Sequence, residues 1–321
     1  MIVVTGAAGF VSSCMIAFLQ QNGLKELIAV DEFSTATKSP NLDGKKIKEM
    51  IHRDIFPIWF KKNGNFVKAV FHFGARTDTT ELDFEIFEKL NLSYSKTIWD
   101  ICTEYQIPLI YASSAATYGA GELGYMDEEN IVSKLKPLNP YGVSKNDFDI
   151  WALQEENSPP QWAGLKFFNV FGPNEYHKKR MASVVFHTYH QIRESKKMKL
   201  FKSHRPDFKD GHQSRDFIYI KDLLNMVDWI WREKVPNGLY NIGTGKANTF
   251  LDLASYTFNS LDLTPQIEYV DTPEDIRDTY QYFTQADMNK LFKTGFNKHI
   301  FSLKEAIQDY VQNFLVPSRY F

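Results

Sequence analysis

The first twelve residues restrict this chain more than any other stretch. An apolar run, Ile2 to Thr5, stops at Gly6, and an apolar helical pattern starts at Phe10. Between them "GAAG" keeps the Gly-x-x-Gly spacing at Gly6 and Gly9. A glycine turn that follows a buried strand and opens a helix lets backbone amides approach a pyrophosphate at the helix N-terminus. Ser12 stands where a third glycine would ease helix–sheet packing, and it is small enough to serve.

The same rhythm repeats along the chain. "LIAV" (Leu27 to Val30), "AVFHF" (Ala69 to Phe73), "LIYAS" (Leu109 to Ser113) and "LKFF" (Leu165 to Phe168) read as buried strands. Helical patterns cover Phe10 to Asn22, Glu81 to Tyr105 and Pro140 to Glu156. Apolar strands separated by helices imply a parallel sheet covered on both faces, a Rossmann-type doubly wound α/β fold. After Asn169 the rhythm loosens. Met181 to Ser195 reads as a helix, His204 to Gln213 as a charged loop and "RDFIYI" (Arg215 to Ile220) as a strand. This pattern predicts a smaller, interleaved α/β substrate lobe. The dinucleotide-binding domain is expected over 1–168 plus about 214–245, and the substrate domain over about 169–213 plus 246–321.

Bulk properties exclude several classes. With 321 residues and 43% apolar composition the chain can build a full core. A net charge of -2 gives no case for nucleic acid or an anionic membrane. No signal peptide or membrane span is legible, and Cys14 and Cys102 sit in apolar stretches, as buried thiols do in a reducing compartment. The expectation is a soluble, cytoplasmic protein.

Two clusters then point to chemistry. Asp31 and Glu32 end the second strand, where an acid would bind ribose hydroxyls and favour NAD. Lys38 and Arg53 lie close enough in sequence to reach a 2′-phosphate instead. "FGAR" (Phe73, Gly74, Ala75, Arg76), followed by Thr77, offers a second close backbone approach. Further on, "YASSAATYG" ends a strand at Ser114, and "NPYGVSK" places Tyr141 and Lys145 four apart on one helix face. An ammonium beside a phenol is expected to lower the phenol pKa, as a general base requires.

A third cluster is the cation run His177, Lys178, Lys179, Arg180 within "FNVFGPNEYHKKRMASVVFH" (Phe168 to His187). By itself it reads as a solvated surface, a phosphate clamp or a proton-transfer group.

The glycine turn, Ser114 and the Tyr141/Lys145 pair resemble the extended short-chain dehydrogenase/reductase superfamily. More narrowly, "YASSAATYG", the Phe168–His187 segment and "FTQAD" (Phe283 to Asp287) resemble the ADP-L-glycero-D-manno-heptose 6-epimerase family nearly end to end, with an apparent insertion around His204 to Gln213. The resemblance implies an NADP-dependent isomerase, NAD being the alternative cofactor, with no metal. It implies inversion at C6″ of ADP-D-glycero-D-manno-heptose through a transient ketone, supplying lipopolysaccharide core heptose. Tyr141 and Lys178 are then the two proton-transfer groups, with Lys145 tuning Tyr141 and orienting the nicotinamide ribose, and Ser114 holding the substrate oxygen. By the same resemblance Phe10, Val11, Asn91, Val170 and Lys178 contact the cofactor. Asn169, Arg180, His187, Phe201, Lys202, Ser203, His204, Arg215 and Tyr280 match substrate-contacting places. Arg180 replaces a small hydroxyl residue of the family pattern; it either grips a diphosphate or turns outward. A homo-oligomer, a pentamer in the family, is implied.

The rivals are another nucleotide-sugar epimerase, such as a UDP-hexose 4-epimerase, and a non-catalytic NADP-binding regulator. A 4,6-dehydratase needs acids immediately after the catalytic hydroxyl, where this chain has Ala115 and Ala116.

Overall fold

The computed structural model describes residues 1–277 and 280–321. In chain order the strands are β1 (Ile2–Thr5), β2 (Leu27–Asp31), β3 (Glu49–His52), β4 (Ala69–His72), β5 (Leu109–Ser114) and β6 (Trp162–Phe167). They continue as β7 (Asn169–Phe171), β8 (Met198–Phe201), β9 (Ser214–Tyr219), β10 (Gly238–Ile242), β11 (Ala247–Thr249) and β12 (Ile267–Val270). Seven form one parallel sheet in the order β10-β6-β5-β4-β1-β2-β3. This is a Rossmann-type α/β fold.

Side chains alternate faces along a strand, so a sheet covered on both sides needs apolar residues at every position. Val4, Phe71, Ile110 and Leu165 join one core with Met15 and Leu19 of the helix Phe10–Gln21 and Leu223 and Met226 of the helix Ile220–Arg232. Their strand neighbours Val3, Val70, Leu109 and Tyr111 join the other core, with Phe60, Trp99 and Phe148. The continuous apolar runs of the sequence are therefore two interleaved faces.

Each strand read from the sequence is present. β3 has no apolar run because it is the sheet edge, where Glu49 and Met50 are exposed and only Ile51 is buried. The helix expected from Glu81 starts later, at Phe84, because Asp83 caps it by accepting from Glu85 N. The helix expected from Met181 likewise starts at Val184, where the Ser183 hydroxyl accepts from Phe186 N.

Around the sheet's C-terminal edge, β11, β9 and β7 form a three-stranded sheet, and β12 pairs with β8. A small core of Ile192, Met198, Leu200, Ala254 and Phe258 supports the β8–β12 pair. β9 lies in the three-stranded sheet, whereas β10 closes the large one. Among the described residues no helix is long and apolar enough to cross a membrane.

Candidate active site

The order of the large sheet reverses between β1 and β4, and in open α/β sheets ligands bind outside the strand ends at such a point. Here the turn after β1 lies directly against the turn after β4. Gly6 has φ +65°, and a Cβ on it would lie 2.6 Å from Gly74 Cα. A Cβ on Gly74 would lie 2.9 Å from Gly6 N. Gly74 N donates to Thr5 Oγ1 at 3.1 Å, and that hydroxyl bonds His72 Nδ1 at 2.7 Å. His72 reaches on to Ser95 Oγ at 2.9 Å, and burial, aided by the Lys145 charge, pushes it down to about 3, so it stays neutral. Ser12 donates to Thr5 O at 2.8 Å, locking helix to strand where a third glycine was expected.

This cradle opens into a cleft of about 720 Å³. Gly6, Gly9, Phe10, Val11, Asp31, Glu32, Lys38, Arg53 and the stretch Phe73 to Thr77 line it, as does Lys178. Bare backbone that a Cβ would fill is what a pyrophosphate needs, so the residues fit a dinucleotide. Gly6→Ala is expected to cost about 1–3 kcal/mol of stability and to strip the copurifying dinucleotide, read by denaturant unfolding and by absorbance of the released cofactor. A variant that keeps both would remove the cradle from binding.

The acids and cations of this cleft divide. Asp31, buried, accepts from Ala8 N at 3.0 Å, which holds the glycine turn in place, and from Glu32 N at 2.7 Å, so both its oxygens are occupied. Glu32 accepts from the Ser34 and Thr35 hydroxyls. Lys38 lies 3.8 Å from Asp31, and Arg53 keeps a buried Nε without a hydrogen-bond partner. His177, absent from the sequence-based set of site residues, also lines the cleft. Burial pushes it down to about 4, and the charges of Lys38 and Lys178 add to that. This end of the cleft thus sets two cations, Lys38 and Arg53, beside two acids.

Asn91, Lys145 and Val170 are not among the lining residues. Asn91 is buried and ties the cleft wall to the next helix: it accepts from Arg76 N at 2.8 Å and donates to Arg76 O and Ser144 Oγ, each at 3.0 Å.

That next helix, Pro140–Gln154, starts at Asn139, whose side chain accepts from Gly142 N, with Pro140 in its first turn. It carries Tyr141, hydrogen-bonded to Ser114 at the end of β5, and Lys145. One expectation is reversed. Burial raises the Tyr141 phenol, with Asp149 adding to the rise and the Ser114 bond opposing it. Lys145 is not among the groups that shift it; its Nζ donates to Ala112 O at 2.8 Å. Burial in turn lowers Lys145 to about 8, opposed by Asp149. Asp149 belongs to a fully buried ion pair with Lys166 at 2.7 Å and also accepts from Ser113 Oγ at 2.6 Å, fixing the strand end behind Ser114.

The cation run forms a 3-10 segment, Tyr176–Met181. Lys178 is half-buried, its Nζ 5.5 Å from the centre of the Phe10 ring, and burial lowers its pKa while Glu175 opposes. Lys179 is exposed and takes φ +50°. Arg180 turns across the cleft mouth to Asp78, at 3.4 Å, and to the Thr80 hydroxyl. His187 Nε2 lies 3.3 Å from Arg180 O.

A second cluster surrounds Arg215 on β9. Its guanidinium is buried, lies over the rings of Phe250 and Tyr280, and donates to the Ser214 and Gln281 carbonyls. Among the described residues no carboxylate pairs with it. Phe201 and His204 pack edge-on to Tyr280, and His204 Nδ1 lies 2.9 Å from the Tyr282 hydroxyl. Ser203 is half-buried and Lys202 pairs with Asp271 at the surface. Register joins this cluster to the first: Ser114 pairs with Phe167 across β5 and β6, and exposed Asn169 pairs with Phe217, two residues beyond Arg215. The presumed insertion folds onto this wall, with Arg205 over Tyr282 at 5.0 Å.

Sequence reasoning missed His177, Asp78, Asp149 and Lys166. His177 lay inside the quoted cation run, which was a usable signal. The others are marked only by long-range contacts.

Residues 2–243 match the NAD dependent epimerase/dehydratase family. The chain is 46% identical to the ADP-L-glycero-D-manno-heptose-6-epimerase of Fusobacterium nucleatum over 98% of both chains. It is 43% identical to that of Nitratidesulfovibrio vulgaris over 99% of both. The crystal structure of the Helicobacter pylori ADP-L-glycero-D-manno-heptose-6-epimerase superposes with a TM-score of 0.79 at 28% identity, covering 97% of this chain and 95% of that one.

Proposed function

Because the chain belongs to the NAD dependent epimerase/dehydratase family, and along nearly its whole length to the ADP-L-glycero-D-manno-heptose-6-epimerases, we propose that it inverts C6″ of ADP-D-glycero-D-manno-heptose. The observation that supports this reading is that Lys178 and Tyr141 come from separate elements to the surroundings of one cleft. Lys178 lines the cleft, and Tyr141 lies behind its wall against Phe87, its helix tied by Asn91 to Arg76. A bound nicotinamide dinucleotide supplies hydride acceptance from C6″ and hydride return to it.

The chain's own residues move the proton. Burial raises Tyr141 and lowers Lys178, which favours the phenol as the acid and the amine as the base. Lys178 takes the 6″-hydroxyl proton as C6″ becomes a ketone. The ketone turns in the site, and Tyr141 returns a proton to its oxygen as C6″ is reduced on the other face. The reverse direction exchanges the two roles. Ser114 holds the oxygen against Tyr141. Arg215, buried and with no carboxylate paired to it among the described residues, offers its charge to the substrate diphosphate, with Tyr280 and Phe201 beside it. Incubation with ADP-D-glycero-D-manno-heptose, followed by NMR of C6″, should give the L-glycero epimer. Unchanged substrate, together with turnover of a UDP-hexose, would replace this reading with that of a 4-epimerase.

For the cofactor we favour NADP. Asp31 and Glu32 are occupied by local hydrogen bonds, whereas Lys38 and Arg53 bring two cations to the cleft lining and the Arg53 Nε has no hydrogen bond. Mass spectrometry of cofactor released from purified protein should give NADP, and Arg53→Ala should shift the bound pool towards NAD. A pool that is NAD in the unaltered protein would mean the acids decide the preference. We place the enzyme in the cytoplasm, consistent with its two free buried cysteines, as a homo-oligomer.

A further inference from the structure

We propose that Glu175 is the positioning residue for Lys178: its buried carboxylate draws the two ends of the 172–183 loop together and fixes the lysine over Phe10. The proposal rests on the reading of Lys178 as a proton-transfer group. Glu175 is fully buried, and among the described residues no cation lies within ion-pair distance of it. Four donors converge on it instead. Oε1 accepts from Gly172 N at 3.4 Å, from Ser183 Oγ at 2.7 Å and from Tyr310 Oη at 2.9 Å. Oε2 accepts from Ser183 N at 2.5 Å. One carboxylate thus closes a loop of about a dozen residues and pins it to the helix Leu303–Tyr310.

Lys178 is held at the middle of that loop. Its backbone N donates to Glu175 O at 2.9 Å, which starts the 3-10 turn and aims the side chain at the Phe10 ring. A buried carboxylate without a cation is costly unless its oxygens are filled, and here neutral donors fill them. The negative charge therefore remains for the lysine one turn on. Burial lowers Lys178 and the Glu175 charge opposes that fall. Burial raises Glu175 itself, while the Ser183 bonds, the Lys178 charge and the Tyr310 bond oppose it. The other titratable groups near Lys178 are His177 and, beyond it, Lys38 and Asp31. Near Glu175 they are Tyr310, Tyr176 and Cys14. Glu175 is not among the residues that line the cleft.

Glu175→Gln in the full chain tests this. Turnover should fall ~10–100-fold with KM for the nucleotide sugar little changed. A second readout does not depend on turnover: pH-dependent labelling of Lys178 by an amine-directed reagent, followed by peptide mass spectrometry. Its midpoint should move to lower pH, while that of Lys179 stays. A Lys178 midpoint equal to wild type overturns the proposal. If Lys178→Met keeps its turnover, the catalytic reading of Lys178 fails, yet the labelling shift still decides the role of Glu175. Should Glu175→Gln not fold, Tyr310→Phe serves, since that phenol meets the loop through Glu175. It should slow turnover several-fold at unchanged KM and speed Lys178 labelling, and wild-type values for both would overturn the idea.

Discussion

Tyr141→Phe should lower turnover by ~10²–10⁴-fold and leave the dinucleotide bound. The ring keeps its packing against Phe87, so only the hydroxyl and its bond to Ser114 are lost. Losing one hydrogen bond at a half-buried site costs about 1 kcal/mol of stability, far too little to unfold the protein. The reaction loses the group that returns or takes the proton on one face of the ketone. Dinucleotide contacts are unaffected, because the cleft is lined by the two glycine turns and their neighbours rather than by Tyr141. Turnover and bound cofactor, measured on the same preparation, check this. Turnover within tenfold of wild type would take Tyr141 out of the mechanism.

Lys178→Met should nearly abolish epimerisation, and Lys179→Met should have a mild effect. Methionine keeps the apolar stem over Phe10 and removes only the ammonium. Lys179, one residue on, is exposed, and its positive φ turns the backbone so that it does not line the cleft. A phosphate-binding role for Lys178 predicts something else: affinity that weakens in salt-dependent fashion while saturated turnover stays high. Turnover and substrate affinity for both variants at two ionic strengths separate these cases. Equal, small effects at the two lysines would end the two-base proposal.

These expectations also show where sequence reading reached and where it stopped. His177 to Arg180 were visible as four cations in a row, yet the structure sends them to four different surroundings. His177 meets the Asn41 amide, Lys178 lies over the Phe10 ring, Lys179 is exposed and Arg180 crosses to Asp78. Adjacent residues in a 3-10 turn point in different directions, and which direction meets a partner depends on chain about a hundred residues away. Likewise, the i, i+4 spacing placed Tyr141 and Lys145 on one helix face, but not their charges. Burial, with Asp149 adding to it, reversed the expected effect on the phenol.

By itself the sequence determined the parallel sheet, the glycine cradle and the helix carrying Tyr141. Each of these follows from local spacing: alternation along strands, a turn that admits only bare backbone, and an Asn–Pro helix start. Only the tertiary structure decided which charges face the cleft and which are neutralised. Asp31 holds the glycine turn, Arg215 lies buried over Phe250 and Tyr280, and Glu175 gathers Gly172, Ser183 and Tyr310. The physical reason is that a charge acquires its role from desolvation and from its partners, and both are set by residues distant in the chain.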